Sequence, residues 1–453
     1  MKRPIRWYDY LTINIYWFAL TTRSQTLSPL IVPLLVQQFV GEASKGSAVG
    51  TMRLWALMAA VLIQALMGML SDRTTLKLGR RRPFIIIGTI GEIIVFALIG
   101  YSSVLDGMTG YWALFGLYIL SMLSSNTAHA ATQGLIPDLV PDHLRGRFSG
   151  VKALLELPVP VIFVSYVMGN LVSKGNLWGA LIALMAILVI CMLIAMFVPE
   201  ERLEKSPTAF EWEPFLRLVF MTAVFTAVIL GTGQLVKWFL SLDFGISASL
   251  DWLVAAAVGV LGMALAVALG VIASLRIGIG KEISTQKSFK WWVVNRLAFL
   301  VGSTNVATFL VFFLQERFAD LQGEKAAGPA AKVTMFVGIF ILLTALPSGW
   351  LADKFGKKIL IAIAGLLGAI GTAIVIAVPV MNALYVGGCL IGAGIGLFYS
   401  ANWALGTELV PVGQAGRFLG LSNLAGAGAG AIGAYIAGPI ADSLGYTLVI
   451  GMY

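Results

Sequence analysis

Charge is what this sequence most lacks. Only 12% of its 453 residues are charged, 22 acids against 31 Lys and Arg, while 58% are hydrophobic. A water-soluble domain carries about a quarter charged residues, so this chain cannot cover a water-facing surface of its own size. Cysteine is nearly missing: Cys191 and Cys389 stand alone within apolar runs, which excludes a disulfide framework and argues against a metal site. No metal-ligand cluster, no nucleophile with a neighbouring base and no phosphate-binding glycine loop is present, so neither an enzyme nor a cofactor is expected. The net charge of +9 does not point to nucleic acid, because the cations occupy short loops between apolar runs instead of one exposed face.

What the chain has is long apolar runs and 50 glycines. A membrane-spanning helix needs roughly 20 mostly apolar residues, and small residues let such helices pack closely. The runs predict spanning helices near residues 11–39, 49–71, 83–103, 111–137, 149–172 and 177–198, then 291–314, 331–352, 358–380, 383–406 and 418–441. The expected fold is an all-α, multi-pass membrane protein. Two further apolar runs, 216–241 and 251–275, lie between the sets and are expected as a lipid-facing accessory pair. The last run, 446–453, is too short to span, so the final helix is expected to be incomplete. The expected division is therefore 1–198, a linker with the inserted pair at 199–290, and 291–453.

Basic residues sort by loop. With Lys2, Arg3 and Arg6 on the cytoplasmic side, the loops holding Arg73 and Arg80 to Arg82, Arg145 and Arg147, Lys281 to Lys290, Lys354 to Lys358 and Arg417 share that side. Loops on the opposite side hold few cations and carry Asp106, Asp243 and Asp251. Such asymmetry is how cytoplasmic loops are marked. It implies a plasma or cell inner membrane, a cytoplasmic amino terminus and a first apolar span that serves as the insertion signal.

The chain also repeats. Asn14, Phe18, Gly68 and Asp72 match Asn295, Phe299, Gly349 and Asp353 at one constant offset of 281 residues. Later, Asp138-Leu139-Val140-Pro141 with Gly146-Arg147-Phe148 matches Glu408-Leu409-Val410-Pro411 with Gly416-Arg417-Phe418, now 270 apart because the second basic loop is shorter. Two sets of six helices starting on the same side are parallel repeats, an arrangement that places a substrate site near the midplane between them.

The loop Gly68-Met69-Leu70-Ser71-Asp72-Arg73, followed by Gly79-Arg80-Arg81-Arg82-Pro83-Phe84, recurs as Gly349-Trp350-Leu351-Ala352-Asp353-Lys354 with Gly356-Lys357-Lys358. With this doubled motif the chain resembles the major facilitator superfamily over nearly its whole length. Ser71 to Phe84 is most similar to the sucrose transporter and glycoside-pentoside-hexuronide branch, as are Asn126 and the run 135–150. The stretch after the seventh helix of that fold, 312–320, departs from the branch pattern. The resemblance implies a major facilitator fold whose basic loops lock the two halves on the cytoplasmic side, with Gly68, Asp72, Arg73, Gly79, Arg80, Arg81, Gly349, Asp353 and Lys354 in the gate and Arg147 and Arg417 as partners. The same loops also read as topology signals alone.

Ionisable groups at membrane depth are costly and are functional suspects by default. Arg23, flanked by Gln25, is expected to face a cavity and to meet an acid or the substrate. Glu92 and Glu156 are the available acids and candidate proton sites, although Glu156 also has helix-pair spacing to Lys152. Asn126, His129 and Gln133 share one face of the fourth helix; the 270 offset sets His129 against Tyr399 and Gln133 against Trp403, with Asn402 alongside. An amide and imidazole stripe facing aromatic rings suits a sugar, and it equally suits hydrogen bonding between helices. Asn305 is a further candidate for the substrate site. These residues favour a secondary transporter for a small polar solute, a sugar or glycoside, coupled to a proton or another cation in a lipid bilayer. The alternatives are an exporter of amphipathic compounds and a non-transporting sensor on the same fold.

Overall fold

The computed structural model describes residues 5–200, 212–242, 248–278, 280, 286–409 and 415–453, with backbone alone at 248–251 and 415–425. The described residues are helical almost throughout and contain no strand. Ten of their helical stretches are long and apolar enough to cross a membrane. This is the architecture a bilayer demands, because a helix satisfies its own backbone groups where water cannot.

The first span, α1 at 9–40, is assembled from Asp9–Thr12, Ile15–Thr26, a π-helical turn Leu27–Ile31 around Pro29, and Val32–Val40. Proline cannot donate to the helical ladder and forces such a local rearrangement. Regular spans follow: α2 Lys45–Arg73, α3 Arg82–Ser102 and α4 Gly107–Leu139. In α5, at 145–173, Arg145–Glu156 stops before Pro158, and the span continues as Pro158–Phe163, a π-helical turn Val164–Met168 and Gly169–Ser173. The helix α6, Leu177–Ala195, opens with the Asn176 side chain accepting the Gly179 N–H at 2.8 Å. The inserted pair is α7 Trp212–Leu240 and α8 Ala248–Gly278. The remainder is α9 Lys287–Arg317, α10 Ala327–Phe355, α11 Lys357–Ala377, α12 Met381–Leu409, α13 Ala415–Leu444 and α14 Tyr446–Met452.

Outer helices carry exposed aliphatic stripes. On α3, Ile87, Ile90, Ile94 and Leu98 recur at helical spacing and are all exposed, as are Ile359, Ile363, Leu366 and Ile370 on α11. Contiguous apolar surface of this kind is a lipid face. Within the first six spans α3 packs on α4 and α6, α2 on α4, and α1 on α5 and α6. Among the later ones α12 packs on α10 and α11, and α13 on α9. The two groups meet along three seams, α2 with α13, α5 with α10, and α1 with α9.

The inserted pair, α7 and α8, packs on itself and on neighbouring helices. Its outer faces are apolar and exposed, with Leu216, Phe220, Trp238, Leu261 and Leu265 among them. Its inner faces pack on α13, with further contacts from α7 to α2 and from α8 to α9. It is thus wedged beside a seam between the two groups, not attached at the periphery alone.

Candidate functional site

A cavity of about 1600 Å³ lies between the two groups of helices, lined from both sides by α1, α2, α4, α5, α9, α10, α12 and α13 and by the first turns of α7. Its walls carry Arg23, Gln25, Asn126, His129, Gln133, Glu156 and Tyr399 of the expected site residues.

One end is sealed. There the Asp442 carboxylate of α13 accepts the N–H groups of Gly46 and Ser47 in the first turn of α2, at 2.6 and 2.7 Å. An anion at a helix amino terminus gains both hydrogen bonds and the favourable end of the helix dipole. Gln315 of α9 donates to Gln37 of α1 at 2.9 Å and accepts from Lys45 at 3.2 Å. Lys45 also lies over the ring of Phe312, 4.6 Å from its centroid. Glycine makes the seam possible: a Cβ at Gly46, Gly50 or Gly438 would collide with backbone of the facing helix.

The other end, where the basic loops lie, is different. A Cβ built on Gly68, Gly146, Gly150 or Gly349 would meet no atom of the described residues within 4 Å. Among the described residues the ion pairs there stay within one group. Arg81 is buried, pairs with Asp72 at 2.5 Å and Asp138 at 2.8 Å, and donates to the Ser71 hydroxyl at 2.9 Å. Arg80 also pairs with Asp138; burial opposes its charge, and the carboxylate beside it raises its pKa overall. Gly79, at φ +105°, adopts a backbone conformation that suits glycine and lies against Glu200. The Glu200 carboxylate caps α3 through the N–H groups of Arg81 and Arg82, and burial pushes its pKa above the ordinary range. In the second copy Lys357 pairs with Glu408, Lys354 lies over Trp350 and Phe355, and Asp353 is exposed. Arg73 donates to the Met69 carbonyl at 3.1 Å and Arg147 is exposed. The side chain of Arg417 lies outside the described residues.

Arg23 meets an acid. Its Nε donates to Glu92 Oε1 at 3.1 Å, and Ser121 bridges them, accepting from Arg23 Nη2 and donating to Glu92 at 3.0 Å. Both charged side chains are almost fully buried, with Glu92 behind the cavity wall and Arg23 on it. Glu156 lines the cavity at 3.4 Å from Lys152, whose ammonium lies 3.9 Å from the centroid of Trp17. His129 meets the same Trp17 edge-on at 5.2 Å and hydrogen-bonds Gln133 at 3.1 Å. Asn126 spends its amide N–H on the Met122 carbonyl of its own helix.

On the facing side the geometry differs from expectation. Asn305 joins α9 to α13, donating to the Val301 and Ala429 carbonyls at 2.8 and 3.1 Å. Asn402 is buried and accepts from Arg296 Nη1 at 3.0 Å, while its carbonyl accepts the Trp292 indole N–H at 2.8 Å. Arg296, absent from the sequence-derived candidates, sits 6.0 Å from the Tyr399 ring centroid and 5.5 Å from that of Trp403, and lines the cavity. Arg53 of α2 is a second lining cation that sequence reasoning missed. The apolar runs 49–71 and 291–314 place both within a turn or so of a water boundary, where an arginine draws no attention. The helices begin earlier, at Lys45 and Lys287, so each lies about 12–13 Å inside at 1.5 Å rise per residue.

The sequence profile of the Major Facilitator Superfamily matches residues 14–316 and 297–453. The chain belongs to the major facilitator superfamily. Over 146 residues it is 30% identical to myo-inositol transporter 2 of Schizosaccharomyces pombe, covering 31% of this chain and 26% of that protein. Over 101 residues it is 29% identical to sucrose transport protein SUT5 of Oryza sativa subsp. indica, covering 19% of each. The chain thus spans about a quarter or less of the curated relatives it matches. Among solved structures it is similar to the nucleoside transporter NupG, at TM-score 0.65 and 12% identity over 98% of this chain and 95% of that one. It is likewise similar to a POT family transporter, at TM-score 0.65 and 14% identity over 97% and 92%. These structural likenesses show the fold, and the family match with ten helices long and apolar enough to span makes the chain an integral, multi-pass membrane protein.

Proposed function

We propose that this superfamily member is a secondary active transporter that moves a small polar solute, a sugar or glycoside, by alternating access coupled to a proton or another cation. The observation that carries the reading is the cavity itself: held between two groups of helices and sealed at one end by contacts between them, with no ion pair among the described residues joining the groups at the basic-loop end. A solute cavity closed on one side is what one half of an alternating-access cycle requires. In this reading 1–198 and 291–453 are the rocking units, and 199–290 rides with α13 while sending α7 to the cavity mouth. With the basic loops cytoplasmic, this reading assigns the structure to the inward-open state.

The gate role of the basic loops fits the same picture. In the outward-open state the loop ends carrying Asp72, Arg73, Arg147, Asp353 and Lys354 would close on one another, and the close approach left open at Gly68 and Gly349 would be filled. The polar wall of Gln25, Asn126, His129 and Gln133 supplies hydrogen-bond partners for hydroxyls, and Arg23 with Glu92 is the pair whose charge a proton can change. The sugar class is supported by the partial sequence likeness to proteins named as inositol and sucrose transporters.

The test is uptake of a panel of labelled sugars and sugar derivatives into proteoliposomes containing the purified protein, with and without an inward proton gradient. Gradient-stimulated accumulation of one class is the expected result. Absence of uptake or exchange for every member would remove sugars as the solute class.

A further inference from the structure

One stripe of α7 is packed against helices along part of its length and faces the cavity along the rest. Toward the sealed end its buried positions Met221, Phe225, Ile229, Thr232 and Val236 recur at helical spacing, where α7 packs on α8, α13 and α2. Toward the basic-loop end the same stripe runs on through Pro214, Arg217 and Leu218, and there it lines the cavity. Across from it α2 has the same form. Its sealed half fits against α13 at Gly46 and Gly50, while Val61, Gln64 and Ala65 in its basic half are cavity wall.

Glycines fasten the inserted pair to the later group of helices. A Cβ on Gly428 would strike the Phe225 ring, one on Gly233 the Tyr435 ring, and one on Gly259 the side chains of Ile440 and Met452. These contacts advance together along α7 and α13, so the two helices run parallel and α7 moves with the later group. Across the seam a Cβ on Gly430 of α13 would come 2.9 Å from Leu57 Cδ1 of α2. Counted from the Leu57 and Phe225 contacts at 1.5 Å per residue, Ala65 and Leu218 reach one depth, roughly 12–14 Å nearer the basic-loop end.

We propose that the inserted pair is a working part of the gate: the first three turns of α7 are the surface on which the basic half of α2 closes in the outward-open state, with Leu218 and Met221 seated against Val61 and Ala65. This rests on the alternating-access reading above and adds an element that neither basic loop contains. The two bare faces continue interfaces that are already formed toward the sealed end, so a rocking motion extends the packing in register. Shape agrees, since bulky apolar side chains on α7 oppose the small Ala65 on α2. Closure also takes Leu218 and Met221 out of cavity water, which favours it. The opposite face of α7, with Leu216 and Phe220, is exposed and apolar and stays toward lipid.

The experiment is disulfide formation under copper phenanthroline between Ala65→Cys and Leu218→Cys in the full chain lacking Cys191 and Cys389. Gly50→Leu, which keeps the sealed end from closing, drives the opposite end shut without any solute. The expected result is a five-fold or greater rise in the disulfide rate on adding Gly50→Leu, with Ala65→Cys and Leu216→Cys, on the lipid face, staying slow. The spin-label distance between Lys77→Cys and Lys358→Cys, measured with and without Gly50→Leu, reports closure of the basic-loop end independently. If that distance shortens while the Leu218 disulfide does not speed up, or if Leu216 reacts equally, the gate role of α7 is overturned and alternating access stands. If neither the distance nor the disulfide responds, the alternating-access reading falls and the gate role with it. Asp442→Asn, which removes the charge holding α13 to the start of α2, replaces Gly50→Leu with the same expected outcomes if that variant does not fold.

Discussion

Glu92 holds a charge balance that one substitution can disturb. Buried at 1% exposure against Arg23 and Ser121, it is the acid whose removal leaves a guanidinium uncompensated, a change that costs about 3–5 kcal/mol in buried pairs. Glu92→Gln keeps an oxygen to accept from Arg23 and removes the titrating group. Expected is loss of gradient-driven accumulation with solute counterflow retained, measured in the same proteoliposomes; gradient stimulation equal to the parent protein would remove Glu92 from the coupling step. At Gln133 the expectation is milder, because its amide faces His129 and the cavity but carries no charge. Gln133→Ala should raise the solute concentration for half-maximal uptake several-fold at unchanged maximal rate, and an unaltered concentration dependence would place the solute elsewhere. That Arg23 stands out as a group needing a partner is legible in the sequence, because few ionisable groups stand near mid-span; the choice of Glu92 over Glu156 comes from the fold. Arg296 is not, since its repeat counterpart is Ile15 and nothing in the pattern announces an arginine laid over the Tyr399 and Trp403 rings.

Among elements, glycine decides where helices can touch. On α2, Gly46 and Gly50 face α13 so closely that a side chain would overlap Gly438 or Ala434 backbone, whereas a Cβ on Gly68 of the same helix meets no described atom within 4 Å. Among the described residues one helix thus carries a tight end and a looser one, which is the form a rocking seam needs. Gly50→Leu should prevent the tight end from closing: transport is expected to fall to background, and a cysteine placed at Leu57 should react with a membrane-impermeant thiol reagent added from the sealed side. Unchanged transport would show that this contact is dispensable. Span positions are readable from apolar length alone. The π-helical turns and the cavity-facing start of α7 are not, because apolar runs mark what is inside the bilayer without saying which face meets a neighbour.

For the whole molecule, the repeat offsets of 281 and 270 residues pair the two basic loops from the order of residues alone. The fold adds that among the described residues the ion pairs of the basic loops stay within one group, while the opposite ends are joined through Asp442, Gln315 and Lys45. No sequence pattern carries that information, because it is a property of one conformational state. The account therefore stands or falls on the two ends moving in opposite senses. The direct measurement is a pair of spin-label distances in a background lacking Cys191 and Cys389, one between Lys77→Cys and Lys358→Cys at the basic-loop end, the other between Ser44→Cys and Ser443→Cys at the sealed end. On adding transported solute the first distribution should gain a shorter population as the second gains a longer one. Two distributions that stay fixed, or that lengthen and shorten together, would contradict alternating access through this cavity.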